Sequence, residues 1–254
     1  MSRIRGYCLA LLFPFAANAV ESNFPLYDME PNLHDQASLQ RGAATYMNYC
    51  LGCHSLGYQR YKRTAEDLGI PERLMLEYLV QDPNAKIGDL IDNSITNENS
   101  KMWFGASPPD LTLYTSLKGG PEYLYTYLMT FYRDDTRPLG VNNMVYENVG
   151  MPHVLLELQG IQEKVCKQVP RIAENGGEMM DLLSGSYLTE ELCGKDLVDR
   201  GYSPLQVVEG TGSLSSDEYE QLAYDLTNFL FYVSEPTRLE RERTGVFVLI
   251  FLAF

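Results

Sequence analysis

"NYCLGCHSLGY", residues 48–58, places two of the chain's five cysteines and one of its three histidines within five consecutive positions. Upstream, Leu39, Ala43, Tyr46 and Cys50 recur at three- and four-residue steps. That spacing predicts a helix over 38–50 that delivers Cys50, Cys53 and His54 at its end. Three chemistries use such a cluster. A redox Cys-x-x-Cys needs a low-pKa thiolate but no adjoining histidine, and it usually sits in a βαβ pattern that this chain lacks. Zinc wants four sulfur or nitrogen ligands; Cys50, Cys53, Cys166 and Cys193 could supply them, although the second pair departs from a two-residue spacing. Covalent haem c gives every residue a role. Two thiols at i and i+3 lie on one side of a helical turn and can add to the two vinyl groups of one porphyrin, while the next histidine sits under the iron. Haem c is therefore the expected cofactor, and a structural zinc module is the alternative of another class.

The ends of the chain bear on where this chemistry is done. Arg3 and Arg5 precede the apolar "GYCLALLFPFAA", and Ala17-Asn18-Ala19 follows. A basic end, a short apolar run and small residues at A-x-A spacing predict a signal peptide over residues 1–19. Cys8 leaves with it, and an oxidising, extracytoplasmic domain over 20–238 remains. Removing Arg3 and Arg5, the charged side chains of residues 1–19, takes the formal net charge from −14 to −16. Such a surface repels nucleic acid and suits a cationic protein partner. At the other end, "GVFVLIFLAF" (245–254) is wholly apolar. It supplies half of the roughly 20 residues a spanning helix needs, so 239–254 is expected to be the start of a C-terminal membrane anchor, cut short at Phe254. An interfacial or packed helix is the alternative.

Between the ends, the pattern predicts a mainly α protein with long loops. A second helix should start near Pro71 and stop before Pro83. Residues 84–110 lack a sustained period and read as a long loop. "GGPEYLYTYLMTFYRDD" (119–135) restarts as an aromatic helix, and 134–154 is loop again. The last soluble helix opens with Ser215 and Glu218, a capping box, and carries the stripe Tyr219, Leu222, Leu226, Phe229 and Val233 up to Pro236. Loops of this length in a compact domain imply something to wrap.

A haem held by His54 needs a sixth ligand, and a methionine thioether raises the potential for electron transfer. Met47, Met75 and Met129 fall within helical patterns and read as core. Met151 differs, because Gly150 before it permits close backbone approach and Pro152 after it favours extended geometry. Met144, His153 and, more distantly, His34 are rivals. Cys166 and Cys193 are the thiols left over, and in an oxidising compartment they are expected to form a disulfide.

Several stretches resemble the cytochrome c1 family, the haem subunit of cytochrome bc1 (ubiquinol:cytochrome c oxidoreductase) complexes, in its bacterial form. They are "RGAATYMNYCLGCHSLGYQRY", "GASPPDLT", "YLYTYLMTFYRDDTRP", "NVGMPHVLLELQG" and "SEPTRLERERTGVFVLIFLAF", in that order along nearly the whole mature chain. The resemblance implies a class I c-type cytochrome-like helical domain with long haem-wrapping loops and a transmembrane anchor. It implies haem c on Cys50 and Cys53, with His54 and Met151 as axial ligands to the iron and Pro109 lining the pocket. Lys118 falls where the family often has a propionate-binding arginine; it keeps the charge and loses the planar fork. The implied chain carries no substrate chemistry of its own. It would relay electrons from a Rieske iron–sulfur protein to a cytochrome c, beside cytochrome b, with its haem domain on the periplasmic side of the bacterial inner membrane. A membrane-anchored cytochrome c serving a terminal oxidase is the other reading. The Met-Pro-His order and the short anchor depart from the commonest pattern.

Overall fold

The computed structural model describes residues 24–173 and 176–253. The expected signal peptide, residues 1–19 with Cys8, lies outside the described residues. Two helices form the spine: α1 (Gln36–Tyr49), which Asp35 caps by accepting from the Ser38 amide, and α9 (Ser216–Ser234). The expected helix over 38–50 and its face are borne out, since Leu39, Ala43, Tyr46 and Cys50 are all buried. So is the capping box, in which Ser215 Oγ accepts from the Glu218 amide and the Glu218 carboxylate accepts from the Ser215 amide.

Where the two helices cross, a Cβ added to Gly42 would stand 2.0 Å from the Asp225 carbonyl oxygen and 2.7 Å from Phe229 Cβ. Glycine is required there for space, because backbone meets backbone. The same crossing is tied by Arg41, whose Nε and a terminal nitrogen reach the two Asp225 carboxylate oxygens at 2.6 and 2.9 Å. Leu226, Phe229, Leu230 and Val233 of α9 fill the core against Tyr46 and Met47, with the Tyr46 and Phe229 rings 5.9 Å apart.

Between α1 and α9 run β1 (Leu56–Arg60), α2 (Tyr61–Asp67), α3 (Glu72–Leu74, continued by a π-helical turn, Met75–Leu79), β2 (Leu90–Ile91), α4 (Asn97–Phe104), α5 (Tyr114–Leu117) and α6 (Gly120–Met129). There follow β3 (Phe131–Arg133), β4 (Val141–Asn143), α7 (Leu156–Gln159), β5 (Gln162–Lys164), β6 (Cys166–Pro170), β7 (Thr189–Cys193), α8 (Gly194–Asp199) and β8 (Leu205–Val207). The strands pair as four antiparallel two-stranded ribbons, β1–β2, β3–β4, β5–β8 and β6–β7. α6 joins the spine through Tyr219, whose hydroxyl donates to the Leu128 carbonyl at 2.9 Å.

Three expectations need correction. Residues 84–110 are not one loop: α4 sits there, with Thr96 accepting from the Asn99 amide at its start and Gly105 in the left-handed conformation (φ 77°) at its end. Both residues are helix punctuation that the weak periodicity concealed. The ribbons were not foreseen, because pairs of strands this short carry no alternation worth reading. The transmembrane anchor is not supported, since no helix of the described residues is long and apolar enough to cross a membrane. The last helix, α10 (Arg238–Ala253), spends its first turns on Arg238, Glu240, Arg241, Glu242 and Arg243, and none of its residues is buried.

The expected disulfide is present. Cys166 and Cys193 are bonded across the ends of β6 and β7, with Cα atoms 4.3 Å apart and a sequence separation of 27, a closure worth roughly 3 kcal/mol in the chain-entropy model.

The helix crossing gives a direct test. Gly42→Ala should lower the free energy of unfolding by about 3 kcal/mol, the upper range of overpacking. Gly88→Ala, where an added Cβ meets nothing within 4 Å, should change it by less than about 0.5 kcal/mol in the same denaturant titration.

Candidate functional site

The end of α1 runs directly into the Cys-x-x-Cys-His turn. The amides of Cys50 and Leu51 both donate to the Tyr46 carbonyl (2.9 and 3.0 Å), and those of Cys53 and His54 both donate to the Cys50 carbonyl (3.0 and 2.8 Å). The helix thus hands its last carbonyls to the motif, which winds on as a compact turn with Cys50, Cys53 and His54 together. Both thiols are free. Burial pushes the Cys50 thiol up to about 12, with the neighbouring Cys53 a lesser cause. That is the opposite of a redox thiol, whose low pKa makes it a nucleophile. The ribbons are all antiparallel, so the βαβ setting of such a motif is missing among the described residues. The zinc alternative loses two of its four sulfurs to the Cys166–Cys193 bond, and no described group of three or more His, Cys, Asp or Glu could hold a metal ion.

His54 is held from two sides. The Tyr46 hydroxyl donates to its carbonyl, and its Nδ1 lies 2.8 Å from the Pro109 carbonyl oxygen. A carbonyl only accepts, so Nδ1 carries the proton and Nε2 keeps its lone pair, the tautomer a metal-ligating histidine needs. Burial lowers the imidazole's pKa further than the Pro109 carbonyl and Asp110 raise it, which favours the neutral ring. Pro109 is itself anchored: Asp110 Oδ2 accepts from the Gly57 amide (2.7 Å), Asp110 Oδ1 from the Thr112 amide (2.8 Å), and the Leu111 amide donates to the Ser55 carbonyl (2.9 Å). A cleft of ≈ 540 Å³ opens beside Cys53, between Ser55, Asp92, Asn93 and Pro108.

Met151 belongs to a second cluster, at the C-terminal end of α6. It is half-buried against Phe131, Val141 and Val149, and its Sδ accepts from the Tyr127 hydroxyl at 3.4 Å. An added Cβ at Gly150 would meet nothing within 4 Å, so the backbone beside the sulfur is open to close approach. The rivals are placed otherwise. His153 Nε2 lies 2.7 Å from Gln159 Oε1, and its ring stacks on Phe131 with centroids 4.7 Å apart. His34 is exposed before the start of α1, a fourteen-residue helix about 20 Å long, at the end remote from Cys50. Met144 is half-buried beyond β4. Lys118 is exposed at the end of α5 and makes no ion pair with a described residue. Met47 and Met75 are core, as expected, and Met129 packs against it.

The donors at the end of α1 are two free thiols and an imidazole with its Nε2 lone pair available, and they fit an iron porphyrin attached through sulfur. Such a set in a mainly helical domain is the arrangement of a c-type cytochrome. The chain belongs to the cytochrome c1 family: the Cytochrome C1 family model matches residues 28–165. Proteins of this family bind one covalent haem c. Cytochrome c1 of Allochromatium vinosum is 47% identical over 244 residues, covering 96% of this chain and 89% of that one. The ammonia monooxygenase gamma subunit of Nitrosomonas europaea is 31% identical over 253 residues, covering 99% of this chain and 92% of that one. A cytochrome b/c1 of Bradyrhizobium diazoefficiens is 26% identical over 238 residues, covering 86% of this chain and 31% of that longer one.

Three residues of this arrangement were not singled out from the sequence. Tyr46 was placed on the buried face but not as a donor to His54. Asp110, two before Thr112 and just after two prolines, has the Asx-turn signature that would have found it. Tyr127 gave no signal beyond lying in an aromatic helix.

The Asp110 strap is testable. Asp110→Ala leaves the Gly57 and Thr112 amides without their acceptor and should lower stability by about 1–3 kcal/mol in a denaturant titration. No change would mean that solvent replaces both bonds without cost.

Proposed function

We propose that this chain relays electrons within a ubiquinol:cytochrome c oxidoreductase, from a Rieske iron–sulfur protein to a cytochrome c. The observation that carries the reading is the His54 Nδ1–Pro109 bond beside two free thiols, because it leaves Nε2 as the one ring nitrogen able to take a metal. Cys50 and Cys53 would hold the haem covalently, and His54 Nε2 and Met151 Sδ would ligate its iron. Bound there, the haem supplies a one-electron carrier. Burial and the Pro109 carbonyl keep the imidazole neutral and oriented. The thioether favours ferrous iron, as a chain fed by a high-potential iron–sulfur centre requires. His153 is spent on Gln159 and Phe131, which supports Met151 as the sixth ligand.

The wider setting follows from the relatives and the surface. Cytochrome b is the expected neighbour, and the Bradyrhizobium relative is named for both cytochromes. Residues 1–19 form the leader, 20–238 the haem domain on the periplasmic side of the inner membrane, and 239–254 the segment that meets lipid. The exposure of Val246, Phe247, Leu249 and Phe251 on α10 supports the last assignment. The mature charge of −16 suits a cationic cytochrome c as acceptor.

Met151→Leu tests the ligand set. Haem should stay on the chain in a haem-stained denaturing gel. The weak sulfur-to-iron charge-transfer band of the ferric protein should vanish, and the potential should fall by a sizeable part of the roughly 0.8 V that axial ligands command. A band that survives in Met151→Leu and vanishes in His153→Leu would hand the position to His153. Turnover with a basic cytochrome c should fall steeply with added salt, because screening shortens to about 8 Å at physiological ionic strength. A flat salt profile would remove the acidic surface from the account.

A further inference from the structure

The hydroxyl of Tyr127 makes one hydrogen bond among the described residues, and its acceptor is the Met151 sulfur, at 3.4 Å. A thioether is a weak acceptor, and a phenol with solvent or a carbonyl in reach would ordinarily choose either instead. The ring is packed on two sides. Phe131 meets it edge-on, with centroids 5.0 Å apart and planes at 79°. Tyr123, one turn earlier, stacks alongside at 6.5 Å and 21°. The residue's own carbonyl accepts from Asn143 Nδ2 at 2.8 Å, which ties this turn of α6 to β4. Met151 in turn lies against Phe131, Val141 and Val149, so donor and acceptor are fixed by the same cluster.

We propose that Tyr127 tunes the sixth ligand, and that its hydrogen bond to Met151 Sδ raises the reduction potential of the haem. The inference rests on Met151 being that ligand. A thioether sulfur has two lone pairs, so one can face the iron while the other accepts the phenol proton. Donation to sulfur draws electron density away from it and weakens it as a donor to iron. Ferric iron needs that donation more than ferrous iron does, so the bond destabilises the oxidised form more. The potential rises without any change of ligand. This is a second means of tuning, added to the choice of methionine itself.

Tyr127→Phe keeps the ring and its packing and removes only the donor. The membrane-bound, haem-loaded complex should retain covalent haem and the sulfur-to-iron charge-transfer band, now shifted in wavelength. Its equilibrium with a redox mediator couple should move about two- to tenfold toward the oxidised haem, the range that one neutral hydrogen bond commands. Tyr125→Phe, which removes a hydroxyl of α6 that instead meets Glu220 at 3.2 Å, should leave both band and potential unchanged. An unchanged band and potential in Tyr127→Phe would overturn the inference and leave Met151 as ligand. Loss of the band in Tyr127→Phe would overturn it too, since the tyrosine would then be holding the sulfur in place rather than tuning it. Failure of the underlying ligand assignment shows separately, as a band that persists in Met151→Leu.

Discussion

The close crossing of α1 and α9 at Gly42 is the constraint on which the rest of the molecule depends. Backbone lies against backbone there, and no side chain larger than hydrogen has room. A contact of that kind fixes the rotation and the register of α1 together. It also dictates how Asp225 is buried. That carboxylate, 2% exposed, would cost several kcal/mol without a partner, and Arg41 and Gln221 satisfy it from the two helices that cross. Because α1 cannot slide, Cys50 arrives at its end in one orientation only, and the motif that follows begins from a fixed point.

α9 also seats the helix against which Met151 packs. Tyr219 bonds the Leu128 carbonyl, so α6 is seated on the same helix as α1. The last turn of α6 carries Tyr127, and Phe131 follows just beyond it; these two meet Met151. The thiols and His54 therefore follow directly from a helix of the spine, whereas Met151 lies in the segment between β4 and α7 and packs against the end of α6. The loops supply the finer adjustments: Pro109 orients His54, Asp110 braces Pro109, and Gln159 bonds His153.

The parts of this arrangement that were legible in the sequence are those set by local chemistry. The helix under Cys50 showed in the spacing of Leu39, Ala43 and Tyr46. The start of α9 showed in Ser215 and Glu218, and the attachment turn in the motif itself. The disulfide followed from the count of remaining thiols. What could not be read depends on partners distant in the chain. The need for Gly42 comes from Asp225, far along the sequence, and nothing near Gly42 announces it. The hydrogen bond from Tyr127 to Met151 joins two segments whose approach is set by Phe131 and Val141. Helix α4 was hidden for another reason, since Thr96 and Gly105 mark its ends clearly while its own residues are too polar to show a face. The apolar end read as the start of an anchor from ten apolar residues, and among the described residues the helix that carries them is not long and apolar enough to cross a membrane.

The central claim is that one haem is bound covalently at the end of α1. Tryptic peptide mapping of the purified, unreduced protein by mass spectrometry tests it most directly, because Arg41 and Arg60 bracket both thiols and His54 in a single peptide, residues 42–60. The account predicts that this peptide carries the added mass of one haem and absorbs in the visible, with neither Cys50 nor Cys53 open to alkylation. A peptide 42–60 of unmodified mass, with two alkylated cysteines, would contradict it.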